Sequence, residues 1–224
     1  MAIDFKELCK IICPIIKKMP MHWDGKKCIL EMKENKGRWR DMEWIGFYFE
    51  YWCSRNLKGV MEMPCSKKYG NVSFDGYLNI PWDFKSHAIQ LGKKDRIIVN
   101  DLQAIKKAIN DFGCVGLIIA SGPVVYDDAQ EFKKWHEKMK DDEQKGKKTD
   151  YVLKNIERGA PSRRRKVSMK ISKISFVKLD NDCLDKYGIK HNQGRNSNGK
   201  PRKPKVALDL TEICDCTEYV IDNE

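Results

Sequence analysis

The sequence predicts an α/β fold in which a central mixed sheet is flanked by helices. Two amphipathic helix patterns, at 41–56 and 102–112, enclose a group of short alternating segments, and a continuous apolar run follows at 114–120. Such a run is typical of a strand that is covered on both faces. The chain has 224 residues, of which 41% are hydrophobic, enough for one domain with a real core. We therefore expect a single domain over 1–224 and exclude wholesale disorder.

Four segments have the periodicity of helices. Residues 3–19 carry an apolar stripe at three- and four-residue spacings, and residues 41–56 carry a broad aromatic face. Residues 102–112 follow Asn100-Asp101, a suitable N-cap, and end at a glycine. Residues 127–145 predict a charged helix with a narrow apolar seam.

Three short strands are expected between the second and third helices. Apolar and polar residues alternate over Asn71–Leu78, and Asn79-Ile80-Pro81 then makes a tight connection. Trp82–Ile89 and Arg96–Val99 predict the next two strands, so that the three form a meander. With the run at 114–120, the predicted order is helix, three strands, helix, strand.

The C-terminal part of the sequence differs in composition and pattern. A strand is expected over Val167–Val177, where apolar and polar residues alternate. Residues 186–205 contain several glycines and prolines and predict a loop. The last 19 residues recover some apolar content and end in acidic side chains.

The positive charge is concentrated in two blocks. Lys and Arg number 43 against 32 Asp and Glu, a net charge of +11 that favours an anionic partner, nucleic acid first and an acidic membrane surface second. Residues 158–179 and 186–205 hold eight and seven cations without an acid, so the rest of the chain is mildly acidic. We interpret this basic extension, about 158–205, as a DNA-recognition region, with a solvated surface as the alternative. The expected DNA-binding residues are Arg163, Arg164, Arg165, Lys166, Lys170, Asn192, Gln193, Arg195, Asn196, Asn198, Arg202 and Lys203.

Several protein classes are disfavoured. The longest apolar stretch, 114–125, is interrupted by glycines and falls short of the roughly 18 residues of a membrane helix, so no membrane partner is expected. The N-terminus does not have the pattern of a secretory signal. Nine scattered cysteines favour reduced thiols in a cytosolic protein over a disulfide framework, and their spacing disfavours zinc.

The chemically informative segment runs from Phe74 to Lys85. Asp75 on one strand and Asp83 on its hairpin partner would bring two carboxylates to one edge, an arrangement that favours a bound cation such as Mg²⁺. Lys85 lies two residues beyond Asp83 and so shares its strand face. Its ammonium could orient a water or stabilise charge at phosphorus. The pattern fits metal-assisted phosphodiester hydrolysis.

This pattern, an acid on one strand and Asp-x-Lys on the next, resembles the PD-(D/E)XK nuclease superfamily and, within it, the type II restriction endonucleases. The predicted order of helices and strands is also similar to that of the family core, and the resemblance covers about 40–121. Two features depart from the family pattern. The first acid follows Phe74 instead of a proline, and the second acid is Asp where Glu is commoner.

The resemblance implies roles for four residues. Asp75 and Asp83 would bind Mg²⁺, and Lys85 would be the catalytic lysine. Many relatives carry Gly-x-x-x-Glu on the preceding helix, a pattern that Gly46 and Glu50 match here, so Glu50 would be a further metal ligand and catalytic residue.

The function implied by the resemblance is sequence-specific cleavage of double-stranded DNA by a Mg²⁺-dependent endonuclease of a restriction–modification system. A homodimer would match the two-fold symmetry of a short palindrome, and the location would be the cytoplasm of a bacterial or archaeal cell. Two alternatives stay open. One is a repair or recombination nuclease on the same core, and the other is a non-catalytic nucleic-acid-binding protein in which the Asp/Lys hairpin is structural.

Overall fold

The computed structural model describes residues 4–63, 74–90, 92, 95–141, 164–194 and 201–222. The helices in this part of the chain are α1 (Phe5–Ile16), α2 (Gly25–Glu34), α3 (Trp44–Asn56), α4 (Leu102–Phe112), α5 (Glu131–Asp141) and α6 (Asn181–Tyr187), with a 3-10 turn at Ile213–Cys216. The strands are β1 (His22–Asp24), β2 (Gly76–Leu78), β3 (Ile80–Ile89), β4 (Arg96–Asp101), β5 (Val115–Tyr126), β6 (Lys166–Lys170), β7 (Lys173–Leu179), β8 (Ile189–His191), β9 (Lys205–Asp209) and β10 (Thr217–Asp222).

The main sheet has seven strands and is mixed, which confirms the expected α/β class. β3 runs parallel to β5, and β2 pairs antiparallel with β3. β7 pairs antiparallel with the first part of β5, and β10 pairs with β7. The last residues of β5 pair with β6, which in turn pairs with β1. The β3–β5 pair, joined through α4, is therefore the centre of the sheet.

The expected three-strand meander is wrong. β2 and β3 form an antiparallel hairpin, but β4 pairs with β9 in a separate three-stranded sheet of order β4-β9-β8. The physical reason is that β5 occupies the position beside β3 that a meander would give to β4. Ile97 and Val99 of β4 instead pack against the face of the main sheet. The order of elements along the chain from α3 to β5 is as expected, while the pairing is not.

The two faces of the main sheet are covered by different layers. On one face, Trp82 and Phe84 of β3 contact Phe5 of α1 and Phe49 of α3, with ring centroids 5.3 Å and 6.2 Å apart. On the other face, apolar residues of β5 and β7 pack against α4 and the small sheet. Because strand side chains alternate, Asp83, between Trp82 and Phe84, and Lys85, just after Phe84, point to this second face. That alternation places Asp83 on the α4 side of the sheet.

The predicted strand over Val167–Val177 is instead two strands, β6 and β7. β6 pairs with β1 and with the last residues of β5, whereas β7 pairs with β10 and with the first part of β5, so the second neighbour changes from β1 to β10 between them. At the crossing, the Ile171 N–H donates to the Met21 carbonyl at 2.7 Å. Alternation of side chains continues across such a break, so the sequence pattern did not reveal it.

Other expectations hold with changed bounds. α1, α3 and α4 lie where helices were predicted, and α4 has the predicted limits, with Asp101 as its N-cap and Gly113 at φ 84° after its end. α5 begins at Glu131, and 142–145 lie outside the described residues, as do 71–73 of the first predicted strand. β1 and α2 were not predicted, and the expected loop at 186–205 contains β8 and the start of β9.

One expectation about cysteine needs correction. Cys183 at the start of α6 and Cys216 at the end of the 3-10 turn are joined by a disulfide, with their Cα atoms 6.1 Å apart, a separation that such a bond can span. Five other cysteines are buried free thiols, as expected, and Cys214 is an exposed one. In the part of the chain that the structure describes, no helix has the length and apolar character needed to cross a membrane.

Candidate active site

The β2–β3 hairpin positions the two candidate acids. The chain reverses at Asn79, whose φ of 57° lies in the left-handed region that Asn tolerates better than most residues. Leu78 pairs with Ile80 across this turn, and the Asp75 N–H donates to the Trp82 carbonyl at 2.9 Å. The tight hairpin that the short spacing between the acids requires is thus confirmed.

Asp75 is held against β3 by its side chain. β2 pairs with β3 up to Trp82, and two residues further on the Phe84 N–H donates to Asp75 Oδ2 at 2.7 Å. The carboxylate therefore takes the place of a backbone carbonyl of the partner strand. This contact fixes Asp75 beside the segment that carries Asp83 and Lys85.

Asp83 and Lys85 form a largely buried ion pair. Lys85 Nζ lies 2.8 Å from Asp83 Oδ1, and Asp83 is 1% exposed whereas the Lys85 side chain is 21% exposed. The second carboxylate oxygen, Asp83 Oδ2, is buried and accepts no hydrogen bond from the residues that the structure describes. A buried carboxylate oxygen without a partner is costly, and a cation is one group that would satisfy it.

Two carboxyl groups at this site, those of Asp83 and Glu50, have raised pKa values. Burial raises the pKa of Asp83 to about 8. The charge of Lys85 opposes this rise, and the charge of Asp75 and a hydrogen bond between the Asp75 and Asp83 carboxyl groups add to it. Burial and the charge of Asp75 also raise the pKa of Glu50 to about 7. Burial disfavours the ammonium of Lys85, but Asp83 and Asp75 outweigh it and raise its pKa. The Lys85 ammonium therefore stays charged near neutral pH, where the carboxyl groups of Asp83 and Glu50 gain or lose protons.

These donors fit a Mg²⁺ ion. Two adjacent carboxyl groups, Asp75 and Asp83, offer hard oxygen ligands, and one of these oxygens, Asp83 Oδ2, accepts no hydrogen bond from the described residues. Mg²⁺ commonly binds through one or two carboxylates while it keeps several waters. Within the described ranges, no three His, Cys, Asp or Glu side chains are grouped closely enough to hold a metal. The fit to a metal is clearest for the adjacent carboxyl groups of Asp75 and Asp83. Glu50 is close enough for the charge of Asp75 to raise its pKa, and its role as a third ligand stays a prediction.

We expect the free energy of unfolding, measured in EDTA, to fall as the pH rises from about 5 to about 8. The folded pKa values of Asp83 and Glu50, about 8 and about 7, exceed their usual values of 3.8 and 4.5, so the unfolded chain releases these protons first. Their stabilisation is complete below those usual values and is lost as the pH passes the folded ones. Lys85, with its raised pKa, stays charged throughout this window.

Urea unfolding across this pH range measures the effect. Mg²⁺ should make the fall shallower, because it stabilises the ionised carboxylates of the folded state. Asp83→Asn should remove the part of the slope due to that residue, at most about 1.4 kcal/mol per pH unit for one proton. An identical slope in Asp83→Asn and the unaltered protein would contradict the assignment.

The expected DNA-binding residues are scattered, and some are paired with acids. Arg164 forms an ion pair with Asp128, and Lys166 Nζ lies 2.6 Å from Glu43 Oε2. Lys170, Asn192, Arg202 and Lys203 are exposed, and Gln193 is half-buried. Arg163, Arg195, Asn196 and Asn198 lie outside the described residues. The positive charge of this region is thus partly neutralised where the structure describes it.

Arg165 is in the interior and is not available as a surface contact. The residue is 8% exposed, and its Nη2 lies 3.4 Å from Glu137 Oε1 on α5. Burial lowers its pKa, partly against the attraction of Glu137. A run of three arginines in the sequence does not distinguish the inward-pointing one from its neighbours, because that depends on how α5 packs against the start of β6. We remove Arg165 from the proposed DNA contacts.

One residue near the site, Arg38, was missed in the sequence. The guanidinium of Arg38 lies 3.8 Å above the Phe47 ring, and its charge lowers the pKa of Glu50. The cluster of four cations over Lys33–Arg40 was a signal that could have found it. His87, which shares the strand face of Lys85, has its Nε2 3.2 Å from Asp95 Oδ1.

Comparisons with known proteins complete the description of the site. A scan against protein-family models, a search of curated proteins and a search of solved structures each found no match. A functional assignment for this chain therefore rests on its own residues and geometry.

Proposed function

We propose that this protein is a Mg²⁺-dependent endonuclease that hydrolyses phosphodiester bonds of double-stranded DNA, and specifically a homodimeric type II restriction enzyme of the PD-(D/E)XK kind. The observation that supports the proposal most is the hairpin that brings Asp75, Asp83 and Lys85 together and leaves Asp83 Oδ2 buried without a donor in the described part of the chain. A purely structural ion pair would gain from satisfying both oxygens. An orphaned oxygen beside a second carboxyl group favours a cation site.

Each residue has a distinct part in the reaction. Asp75 and Asp83 would hold Mg²⁺, which supplies positive charge at the phosphate oxygens and lowers the pKa of a bound water. Lys85, held as a cation by the surrounding carboxylates, would orient the attacking water and stabilise the charge that develops at phosphorus. Glu50 has a pKa of about 7, so its carboxylate is suited to accept a proton near neutral pH.

The test is incubation of the protein with a long mapped duplex DNA, with Mg²⁺ and with EDTA. We expect discrete fragments in Mg²⁺ and none in EDTA. Continuous degradation, or a preference for branched substrates, would point to a repair or recombination nuclease on the same site. Absence of Mg²⁺-dependent hydrolysis of any DNA or RNA would overturn the nuclease proposal and leave the non-catalytic binding protein.

A further inference from the structure

A basic groove lies outside the region in which the sequence predicted DNA contacts. It has a volume of about 550 Å³ and follows the end of α2 and the loop before α3. Its lining residues are Lys33, Lys36, Gly37, Arg38, Trp39, Arg40 and Asp41. Four cations and one carboxylate line this concave surface. The carboxylate, Asp41, is paired with Arg38 at 3.1 Å, so the groove keeps a net positive charge, which suits a polyanion.

Aromatic rings fix the positions of three of these cations. Lys33 Nζ and the Arg40 guanidinium lie 4.9 Å and 4.6 Å from the centroid of Trp39, and the Arg38 guanidinium lies 3.8 Å from that of Phe47. Trp39 is itself buried, and His136 Nε2 donates to its carbonyl at 2.8 Å. Cations held over rings lose less conformational entropy on binding than freely rotating side chains. The groove is therefore partly pre-organised.

The groove adjoins the candidate active site through α3. Phe47, which supports Arg38, lies three residues before Glu50 and so lies on the same side of the helix. The charge of Arg38 lowers the pKa of Glu50 and that of Asp41 raises it, which shows that these groups are electrostatically close. A phosphodiester strand that reaches the carboxylates beside Glu50 would pass next to these cations.

We propose that this groove binds the phosphate backbone of the nucleic acid next to the phosphate that is cleaved. The proposal rests on the proposed nuclease function, because the neighbouring carboxylate–lysine site acts on the same polymer. The proposal assigns phosphate contacts to Lys33, Lys36, Arg38 and Arg40, whereas the sequence predicted such contacts only at 158–205. Clustered cations bind a phosphate backbone by releasing its condensed counterions, so the affinity depends steeply on salt.

The test compares two triple variants of the full chain that carry the same charge change. Lys33→Gln, Lys36→Gln and Arg40→Gln together neutralise the groove but leave Arg38, which acts on Glu50. Lys18→Gln, Lys106→Gln and Lys107→Gln neutralise lysines that are exposed on α4 and just after α1. Binding of a fluorescent DNA duplex is measured by anisotropy in Ca²⁺ over a range of NaCl concentrations, and thermal unfolding shows whether each variant is folded.

The groove variant should bind at least about 10-fold more weakly at low salt and lower the slope of log K against log [NaCl] by about 2 to 3, since each lost phosphate contact removes about 0.9. The control should change the slope by less than about 1. A charge-conserving variant, Lys33→Arg with Lys36→Arg and Arg40→Lys, should restore the slope of the unaltered protein. Equal slopes for the groove and control variants would overturn the proposal, and so would weakened binding to acidic lipid vesicles without weakened binding to DNA.

Cleavage assays separate this proposal from the proposed function. If the groove variant loses salt-dependent binding but the unaltered protein shows no Mg²⁺-dependent cleavage, the groove assignment stands and the nuclease proposal fails. If the unaltered protein cleaves DNA and the groove variant binds it with an unchanged slope, the nuclease proposal stands and the groove assignment fails.

Discussion

Replacing Asp83 with Asn is expected to lower the rate of Mg²⁺-dependent DNA cleavage by about 10²- to 10⁴-fold, the usual cost of removing one group that acts on the transition state. The change removes the negative charge beside the orphaned Oδ2 position but keeps the size of the side chain. DNA affinity measured in EDTA should change little, since the cations proposed to bind phosphate lie elsewhere. Single-turnover cleavage of a labelled duplex and anisotropy in EDTA measure the two effects.

Asp182→Asn is the matched control. Asp182 is exposed in the first turn of α6, so the same loss of charge there should leave the cleavage rate within about 2-fold, the ordinary scale of a surface change. Cleavage by Asp83→Asn at the rate of this control would show that Asp83 is not part of the machinery, whatever the outcome for Glu50.

Replacing the ion pair by apolar residues is expected to separate stability from activity. Lys85→Met alone should lower the free energy of unfolding by about 1 to 3 kcal/mol, because Asp83 is left buried without its cation. Lys85 is partly exposed and Asp83 can take up a proton, so we expect a loss of stability near the lower end of this range of about 1 to 3 kcal/mol. The loss should grow as the pH rises through about 8, the pKa of Asp83 in the unaltered protein, because only there can Asp83 ionise beside an ammonium.

The double variant Asp83→Val with Lys85→Met should recover that loss and reach a stability equal to or about 1 to 4 kcal/mol above that of the unaltered protein, as apolar replacement of buried pairs often does. Its cleavage should be undetectable. Urea unfolding at two pH values and single-turnover assays complete the cycle. A double variant less stable than Lys85→Met alone would mean that the pair contributes to folding and is not maintained at a cost.

Much of the fold was accessible from local patterns. Helix α4 was predicted to the residue because its cap at Asp101 and its end at Gly113 are local signals. The hairpin was accessible for the same reason, since a spacing of eight residues between Asp75 and Asp83 leaves room for little but a tight turn. The pairing of β4 was not accessible, because its own pattern does not indicate which strand edge is free. The same limit concealed the break between β6 and β7.

The candidate site, like the fold, was predictable from the sequence only in part. Alternation along β3 is enough to put Asp83, Lys85 and His87 on one face of a strand, which the structure retains. Whether Arg165 points inward and whether Arg38 lies beside Glu50 depend on how α5 and the loop before α3 pack, and no local pattern reports this.

The sequence by itself determined the types of chemical group, their spacing, and the strand face on which Asp83 and Lys85 lie, because these follow from the two-residue period of a strand. Only the tertiary structure decided the burial that raises the pKa of Asp83 and Glu50, the absence of a donor to Asp83 Oδ2 in the described residues, and the basic groove beside α3. Desolvation and charge proximity depend on distances between segments that are far apart in the chain. Those distances are set by packing and not by local sequence.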